Sequence, residues 1–531
     1  MKKRHMRIVL AVLCAFMMLV SLAPLTFAEA VAPNLNPPIV QVAGGQLKGY
    51  MNGGVYAFAG IPYATAGRFE EPKAVEPWEG VKAAQAYGAV CPIPEQTAVG
   101  ADEFVWPHRY WIQNEACQFL NIWTKAPDAA AKKPVMVFLH GGGFTNGSSI
   151  ESWAYEGANL ADYGDVVVVT LNHRLNALGF LDLSAYGDAY KNTPNLGMAD
   201  IVVALQWVKD NIAAFGGDPS NVTIFGQSGG GGKVLTLLRM PSAEGLFKQA
   251  VVHSGSASYL KKEDAQKITK YTFEQLGLAD GDVEALKAVP TAPFITAATA
   301  AVAKLNEDLK AENRTVSWRP EADGNLVQEA LCDFTKDIPL MVGTVFSEQT
   351  STFKVGDGRK NEWTEDEIAK NLAEKFGDKA DAIKEEFAKV FPEKKVQDAF
   401  FFAPTNRVTA KNTLNGKIES GSAPVYNFLF TYEAPVNGGT TAFHCAELIY
   451  VFHNVDIPIV TIATGGDADA HRIQDQMATA WVNFARTGNP SQEGLEWLPY
   501  TPESMNTMVF DVASGTRALD DGKLIELMTA K

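Results

Sequence analysis

The sequence is poor in cysteine, in positive charge and in long apolar runs. Only five of its 531 residues are cysteine, and 46 Lys and Arg stand against 61 Asp and Glu, a net charge of −15. So few cysteines exclude a disulfide scaffold, and no C-x-x-C spacing suggests a bound metal. The acidity argues against a nucleic-acid or anionic-membrane partner, because neither attracts a negative surface. After the N-terminus, no run is long and apolar enough to span a bilayer.

The first thirty residues differ in composition from the rest. Four basic residues precede position 8, an apolar stretch covers 8–25, and small residues suited to cleavage lie at Ala28 and Ala30. This pattern is typical of a secretory signal peptide. A membrane anchor is the alternative, but a serine and a proline interrupt the apolar stretch. We therefore expect residues 1–30 to be removed and the protein to be secreted, into the medium or the cell envelope.

Buried strands alternate with helices along most of the remaining chain, 31–531. Near-continuous apolar character predicts strands covered on both faces, at 134–139, 165–171, 221–225, 250–253, 338–342 and 425–430. Helical periodicity is present at 199–215, 231–240 and 472–487. Such alternation predicts one α/β domain with a central, mostly parallel sheet flanked by helices. The helix-rich segments 257–315 and 361–410 are interpreted as insertions, since no linker isolates them.

A nucleophile motif follows the third predicted strand. Gly226-x-Ser228-x-Gly230 lies where a strand passes into a helix. The serine of such an elbow occupies a sharp, strained turn, and side chains two residues to either side would collide with neighbouring backbone. A glycine-rich turn of purely structural role is the alternative, which the strand-before, helix-after context disfavours.

A glycine loop follows the first of these strands. His140 is followed by Gly141, Gly142 and Gly143, whose bare amides can approach a substrate oxygen closely. Such donors stabilise an oxyanion, and the loss of one typically costs roughly 3 kcal/mol of transition-state stabilisation. A flexible loop and a phosphate-binding loop are the alternatives, and the second lacks the required G-K-[ST] or G-x-G-x-x-G spacing. His140 itself is interpreted as a structural residue.

The partners of the serine should follow it in the chain, because serine elbows of this type are completed in the order Ser, acid, His. Four histidines follow Ser228, and they are His253, His444, His453 and His471. We favour His444, since it lies in a loop after the strand 425–430. Glu348 is the first carboxylate after the strand 338–342, although an exposed loop glutamate would be its default interpretation.

These motifs and several others resemble the type-B carboxylesterase/cholinesterase family of the α/β-hydrolase fold. The blocks that carry the resemblance extend over nearly the whole chain from about 40 to 510 and include 58–64 (F-A-G-I-P-Y-A), 115–123 (E-A-C-Q-F-L-N-I-W), 172–180, 216–219 (G-G-D-P), the serine motif, 444–448 (H-C-A-E-L) and 484–490 (F-A-R-T-G-N-P).

The resemblance implies a role for each site residue. Ser228 corresponds to the nucleophile, His444 to the general base and acid, and Glu348 to the orienting acid. The amides of Gly142, Gly143 and Gly229 correspond to the oxyanion hole, and Ser254 to a serine that supports the triad.

The resemblance also implies a disulfide between Cys91 and Cys117. In the family this disulfide closes a loop that walls the approach to the active site, and here the loop carries Trp106, Tyr110 and Trp111. The pairing of Cys332 and Cys445 stays open.

Some positions depart from the family pattern. Gln227 replaces the usual Glu before the nucleophile, which removes a negative charge that helps to bind a cationic substrate. Gly229 replaces Ala, and Ala116 replaces Asp in the block before Trp123. The offset of Trp106 from Cys117 favours a gorge-wall aromatic over a cation site.

The sequence thus predicts a serine carboxylesterase that works through an acyl-enzyme on Ser228 without a cofactor or metal, with a small ester as its partner. Two alternatives stay open. A lipase would act at lipid interfaces under a mobile lid, which the helical insertions would supply. A non-catalytic binding or adhesion protein of the same fold would usually lack a triad group. The oligomeric state, acyl-chain length and natural substrate are not determined by the sequence.

Overall fold

The strongest apolar runs of the sequence form the centre of a large mixed sheet. The fold is a computed structural model that describes residues 38–96, 98, 100, 103, 105–352 and 359–530; the predicted signal peptide, 1–30, lies outside them. The strands of the described residues are β1 Ile39–Val42, β2 Gly45–Lys48, β3 Tyr50–Asn52, β4 Val55–Pro62, β5 Ala64–Thr65, β6 Lys73–Ala74, β7 Val81–Ala83, β8 Phe119–Thr124, β9 Lys133–Leu139, β10 Val167–Leu171, β11 Gly217–Gln227, β12 Gln249–His253, β13 Leu340–Val345, β14 Val425–Phe430, β15 Asn506–Phe510 and β16 Gly515–Ala518.

Eleven of these strands form one sheet, in the order β16-β15-β14-β13-β12-β11-β9-β10-β8-β4-β3. The seven central strands, from β15 to β10, run parallel, whereas the strands at both margins are antiparallel. The remaining strands form a sheet of β1, β2 and β7 and a pair of β5 and β6. The predicted α/β-hydrolase fold with a central, mostly parallel sheet is confirmed.

Helices cover both faces of the sheet. Their bounds are α1 Ala158–Gly164, α2 Asn176–Phe180, α3 Leu196–Asn211, α4 Gly229–Leu237, α5 Lys262–Leu276, α6 Val283–Ala288, α7 Thr291–Asp308, α8 Glu365–Phe376, α9 Ala380–Val390, α10 Pro404–Ser420, α11 Ala446–Val451, α12 Pro458–Thr464, α13 Ala468–Thr487 and α14 Gly522–Thr529. Two of the predicted helices correspond to α4 and α13. The third corresponds to α3, which continues into a 3-10 turn at Ile212–Phe215.

The core consists of two apolar clusters, one on each face of the sheet. Alternate residues of β9 divide between them, with Val137 in the cluster that contains Ile201 of α3, and Phe138 in the cluster that contains Trp481 of α13. Because successive side chains of a strand point to opposite faces, this division places α3 and α13 on opposite sides of the sheet. The central strands are therefore buried on both faces, as their apolar runs predict.

The two segments interpreted as insertions are helical. The first, 257–315, contains α5, α6 and α7, and the second, 361–410, contains α8, α9 and the start of α10. From Pro38 onward the chain forms one compact unit that includes both segments. In the described part of the chain, no helix is both long and apolar enough to cross a membrane.

The loops at the carboxyl ends of the parallel strands carry the predicted site residues. The glycine loop 140–143 follows β9, Ser228 follows β11, Glu348 follows β13, and His444 lies in the loop after β14. Since β9, β11, β12, β13 and β14 are neighbours in the sheet, their carboxyl ends meet at one edge. That edge is where open α/β sheets bind their ligands.

Candidate active site

Ser228 occupies a strained turn between β11 and α4. Its backbone has φ 56° and ψ −121°, outside the regions that non-glycine residues normally adopt. Its amide donates to the carbonyl of His253 at 2.8 Å, which holds the turn against β12. The glycines on either side are required, because a Cβ at Gly230 would lie 1.9 Å from the Leu139 carbonyl oxygen and one at Gly226 would lie 2.4 Å from Gly230. The turn therefore presents the serine hydroxyl at the edge of the sheet.

His444 and Glu348 form a hydrogen-bonded pair across two loops. His444 Nδ1 contacts the Glu348 carboxylate through Oε2, and the His444 amide donates to the Glu348 carbonyl at 3.2 Å. The other carboxylate oxygen of Glu348 accepts from the Ser254 hydroxyl at 2.7 Å and from the Val345 amide at 3.2 Å. Because a carboxylate only accepts, Nδ1 carries the ring proton and Nε2 is left as the acceptor. This tautomer is the one that a general base needs.

Ser228, Glu348 and His444 line one cavity of about 410 Å³. Aromatic side chains form part of its wall: the ring centre of Trp106 lies 5.9 Å from that of Tyr155 and 6.3 Å from that of Phe443. Trp106 is 6% exposed, in keeping with the gorge-wall position expected for it. Tyr110 and Trp111 also line the cavity and are among the exposed large apolar residues, so they lie towards its mouth.

The glycine loop lies against the serine turn. Gly142 and Gly143 have φ of +76° and +63°, a conformation that L side chains rarely adopt. A Cβ at Gly229 would lie 2.5 Å from the Gly143 nitrogen, so the backbones of these two residues are in close approach. Gly142 lines the cavity beside Ser228. The three residues predicted to form an oxyanion hole are thus adjacent in space.

Gln227 replaces a carboxylate with a neutral amide beside the histidine. Its side-chain nitrogen lies 3.3 Å from each ring nitrogen of His444, and its oxygen accepts from the Cys445 thiol at 3.0 Å. Gln227 is fully buried. Glu348 is therefore the carboxylate that contacts the imidazole, and no second charge from position 227 competes with it.

The other candidate histidines after Ser228 lie in different environments. His253 is buried, with Nδ1 3.2 Å from Glu447 Oε1, while Trp481 donates to its Nε2 at 3.0 Å. His453 and His471 pair with surface carboxylates, Asp475 at 2.9 Å and Asp456 at 2.7 Å. His444 is the one of the four that lines the cavity with Ser228.

His140, interpreted as structural, is buried behind the glycine loop. Its Nδ1 donates to the Gly141 carbonyl at 3.0 Å, and its ring stacks on that of His173 with centres 5.1 Å apart. Burial holds the pKa of His140 well below its ordinary value, so the ring is neutral.

The structure shows no bond between Cys91 and Cys117, so the predicted disulfide stays a prediction. Both residues are buried thiols. They are nevertheless neighbours, and burial followed by the interaction with Cys91 raises the pKa of the Cys117 thiol well above its usual range. Burial therefore keeps the Cys117 thiol protonated, with little of the reactive thiolate.

Two ionisable residues of the site were missed by the sequence analysis. Lys233 is fully buried in α4, five positions after Ser228, and its ammonium donates to the His140 carbonyl at 2.8 Å. Glu151 lines the cavity, and burial raises the pKa of its carboxyl. Lys233 could have been recognised in the sequence as the single charged residue of an otherwise apolar, glycine-rich helix.

Among the described residues, the acidic and histidine side chains of the site do not form a cluster that could bind a metal ion. Over the ranges that the structure describes, no group of three or more His, Cys, Asp or Glu side chains is arranged to hold a metal ion.

Known proteins of similar sequence and structure indicate the family of this chain. The model of the carboxylesterase family matches residues 36–521. A para-nitrobenzyl esterase of Bacillus subtilis is 34% identical over 89% of this chain and 94% of its own, and a phenmedipham hydrolase of Pseudarthrobacter oxydans is 30% identical over 87% and 92%. A solved esterase from Clostridium hathewayi, described as able to hydrolyse aliphatic aromatic polyesters, superposes with a TM-score of 0.86 at 39% identity, covering 93% of this chain and 98% of that one. The chain therefore belongs to the carboxylesterase family and is a carboxylic ester hydrolase.

Proposed function

We propose that the protein is a secreted carboxylesterase whose acyl-enzyme forms on Ser228, with His444 as general base and acid and Glu348 as the orienting acid. The observation that carries this proposal is that one cavity is lined by a serine on a strained turn and by a histidine whose Nδ1 contacts a buried carboxylate. Nucleophile, base and orienting acid are thereby available to one substrate.

The first half of the reaction is acylation. His444 Nε2 takes the proton of the Ser228 hydroxyl as its oxygen attacks the ester carbonyl. The negative charge on the tetrahedral oxygen is held by the amides of Gly142, Gly143 and Gly229. Glu348 stabilises the imidazolium that forms, because its carboxylate already contacts Nδ1. Collapse of the intermediate expels the alcohol, which takes its proton from His444.

The second half is deacylation. Water replaces the alcohol, His444 takes one of its protons, and the hydroxide attacks the acyl carbonyl in the same oxyanion site. Collapse releases the carboxylic acid and returns the proton to Ser228. The amide of Gln227, which adds no charge beside the ring, leaves the Glu348–His444 pair to set the basicity of Nε2.

The aromatic side chains in the wall of the cavity favour esters with an aromatic group as substrates. Trp106 is within aromatic contact of both Tyr155 and Phe443, and all three line the cavity with Ser228. Stacked or edge-on aromatic contacts add about 0.5–1.5 kcal/mol beyond the area that they bury. Of the relatives above, one is named for a nitrobenzyl substrate, and another is described as able to hydrolyse aliphatic aromatic polyesters.

The test compares the protein with Ser228→Ala on p-nitrophenyl acetate, butyrate and palmitate, and on ethyl butyrate. We expect Ser228→Ala to lower kcat at least ~10³-fold, because the loss of a triad member costs that much or more. Ser220→Ala is the matched control, since Ser220 is an exposed residue of β11, the strand before Ser228, and its hydroxyl donates to Asp218 at 2.7 Å.

The substrate series separates the remaining classes. A preference for the short acyl chains and for the aromatic ester over ethyl butyrate supports the carboxylesterase. A preference for palmitate with a jump in rate above its solubility limit would establish a lipase instead. Equal, slow turnover by the protein and by Ser228→Ala would exclude the triad and favour a binding protein.

Export and the disulfide form a second part of the proposal. The basic start, the apolar stretch 8–25 and the small residues at Ala28 and Ala30 support secretion. In an oxidising compartment the neighbouring thiols of Cys91 and Cys117 would pair. Intact-mass measurement of protein from the culture medium should give a chain that begins after Ala28 or Ala30, and uncleaved protein in the cytoplasm would contradict export.

A further inference from the structure

We propose that Lys233 is a positioning residue for the oxyanion hole, which it orients by binding the carbonyl oxygens of the glycine loop from behind. The proposal rests on the function proposed above, since it assigns a task in the same acyl transfer. It concerns a side chain that neither the motif nor the triad uses.

The position of Lys233 is set by the serine turn. It is the fifth residue after Ser228, on the first turns of α4, and it is fully buried. Its ammonium donates to the carbonyl oxygen of His140 at 2.8 Å and lies 3.4 Å from that of Gly141. The Phe144 ring, whose centre is 5.7 Å from the ammonium, closes another side. The positive charge is thus directed at the backbone of the loop after β9.

The geometry of the peptide unit explains what this contact does. The Gly141 carbonyl and the Gly142 amide belong to one planar peptide group, and the described chain contains no cis peptide bond. In a trans peptide the C=O and N–H vectors point in opposite directions. An ammonium that attracts the Gly141 oxygen on one side therefore directs the Gly142 N–H to the other side, towards the cavity that Gly142 lines.

Lys233 adds to the hydrogen bond that the loop makes through its own His140, whose Nδ1 donates to the Gly141 carbonyl at 3.0 Å. Gly141, Gly142 and Gly143 have no side chains to hold them, and glycine has the largest backbone freedom of any residue. Within the loop, the carbonyl of Gly142 accepts from the amides of Thr145 and Asn146 at 3.3 and 3.0 Å. Lys233, on α4, binds the carbonyls of His140 and Gly141, so a side chain outside the loop holds two consecutive peptide units.

The charge also acts on the reaction itself. A cation bound to a carbonyl polarises the peptide group and strengthens its N–H as a donor. The ammonium further favours negative charge on the far side of the loop, where the oxyanion forms. Burial lowers the pKa of Lys233 to about 7, while Glu151 acts in the opposite direction. The side chain is therefore mostly charged below pH 7, where its effect on the oxyanion is largest.

The test is Lys233→Met, which keeps the length of the side chain and removes its ammonium. The control is Lys417→Met. Lys417 is also buried, at 1% exposure, and its ammonium lies 3.4 Å from the carbonyl of Lys336, before the amino end of β13 and away from the cavity. Each variant loses an ammonium that contacts a backbone carbonyl, and Lys417→Met does so away from the cavity.

For Lys233→Met we expect kcat on p-nitrophenyl butyrate to fall about 10- to 100-fold, somewhat less than for loss of an oxyanion donor outright. KM should change less than about threefold, because the contact favours the transition state over the bound ester. An inhibitory trifluoromethyl ketone, which Ser228 attacks to give a charged tetrahedral adduct, should lose affinity by a factor similar to the loss in kcat/KM. Lys417→Met should leave all three quantities within twofold.

Other results would overturn the proposal. If Lys233→Met matches Lys417→Met in kcat, or if the ketone binds it normally, Lys233 is only a structural cap. If Lys233→Met fails to fold, Lys233→Gln keeps one donor without the charge and should show the same pattern at smaller amplitude. A Lys233→Gln variant with wild-type kcat excludes the role. Failure of the proposed function is recognised separately, by an active Ser228→Ala.

Discussion

At the scale of single residues, the buried carboxyl of Glu321 couples the stability of the fold to pH. Glu321 is 4% exposed, and its backbone is held to Asn195, which accepts from the Glu321 amide and donates to its carbonyl, both at 3.0 Å. Burial, and then the charge of Asp182, raises the pKa of Glu321 to about 8 from a usual 4.5. The carboxyl is therefore neutral in the folded protein at pH values where the unfolded chain carries a charge.

The sign of the effect follows from proton linkage. Because the folded pKa is raised, the contribution of Glu321 to stability is fully present below about pH 4.5 and is lost as pH rises towards 8, by up to about 1.4 kcal/mol for each pH unit. Glu321→Gln removes this slope, so we expect it to be more stable than the wild type at pH 8.5 and no more stable at pH 4.5. Urea unfolding at both pH values measures the difference. Glu329→Gln, at an exposed position of the same segment, should show no such change.

Some residues of the site could be predicted from the local sequence, whereas others are recognisable only from their contacts in the fold. Ser228 was predictable because its elbow is a local pattern of glycines around one serine. Lys233 was not, because its role depends on the carbonyl of His140, 93 positions earlier in the chain. The sequence around Lys233 does not indicate this partner, because every residue has a backbone carbonyl.

At the scale of elements, replacing two helix glycines by alanine should have opposite effects on stability. Gly230 opens α4, where a Cβ would lie 1.9 Å from a backbone oxygen of β9, whereas Gly416 lies exposed in α10, where a Cβ would meet nothing within 4 Å. We expect Gly416→Ala to stabilise the protein by about 0.5–1 kcal/mol, since alanine restricts the unfolded chain and favours a helix. Gly230→Ala should instead destabilise it and inactivate the esterase.

Thermal unfolding and turnover of p-nitrophenyl butyrate measure the two changes. A Gly416→Ala variant that melts below the wild type would show that α10 does not tolerate the side chain. A fully active Gly230→Ala variant would show that β9 and α4 separate easily, against the close approach that the elbow requires.

The central strands could be predicted and the marginal ones could not. Strands β9 to β14 are buried on both faces and so appear as continuous apolar runs, and the predicted strand 425–430 has the bounds of β14. Strand β1 alternates exposed and buried residues over only four positions, and β16 has no fully buried residue. Such short, half-polar segments become strands because a neighbour pairs with them, which local sequence does not reveal.

At the scale of the whole molecule, the sheet brings together groups that are far apart in the chain. His444 contacts Glu348 across 96 positions, and neither loop would bring its residue to the other without the parallel pairing of β13 and β14. The order of the proposed triad along the chain is therefore a consequence of strand order. The acid and histidine could be chosen from the sequence only because the strands before them were recognisable.

The oxidation state of Cys91 and Cys117 affects the stability of the whole molecule, because a bond between them would close a loop in the unfolded chain. The two thiols are buried neighbours. A disulfide that closes a loop of this length, about 26 residues, removes unfolded-chain entropy equivalent to about 3.5 kcal/mol. We therefore expect the oxidised protein to melt a few degrees above its reduced form.

Protein recovered from an oxidising compartment should show two titratable thiols in denaturant, and the same protein after reduction should show four, because the chain after residue 30 contains four cysteines. Cys117→Ser should melt at one temperature whether or not reductant is present, whereas Cys332→Ser should keep the difference. Four thiols before reduction would show that the pair stays reduced even outside the cytoplasm. The loop with Trp106 and Trp111 would then be held at the cavity without a disulfide, by the aromatic contacts of Trp106 and by hydrogen bonds such as that from Arg109 Nε to the Ile150 carbonyl at 2.7 Å.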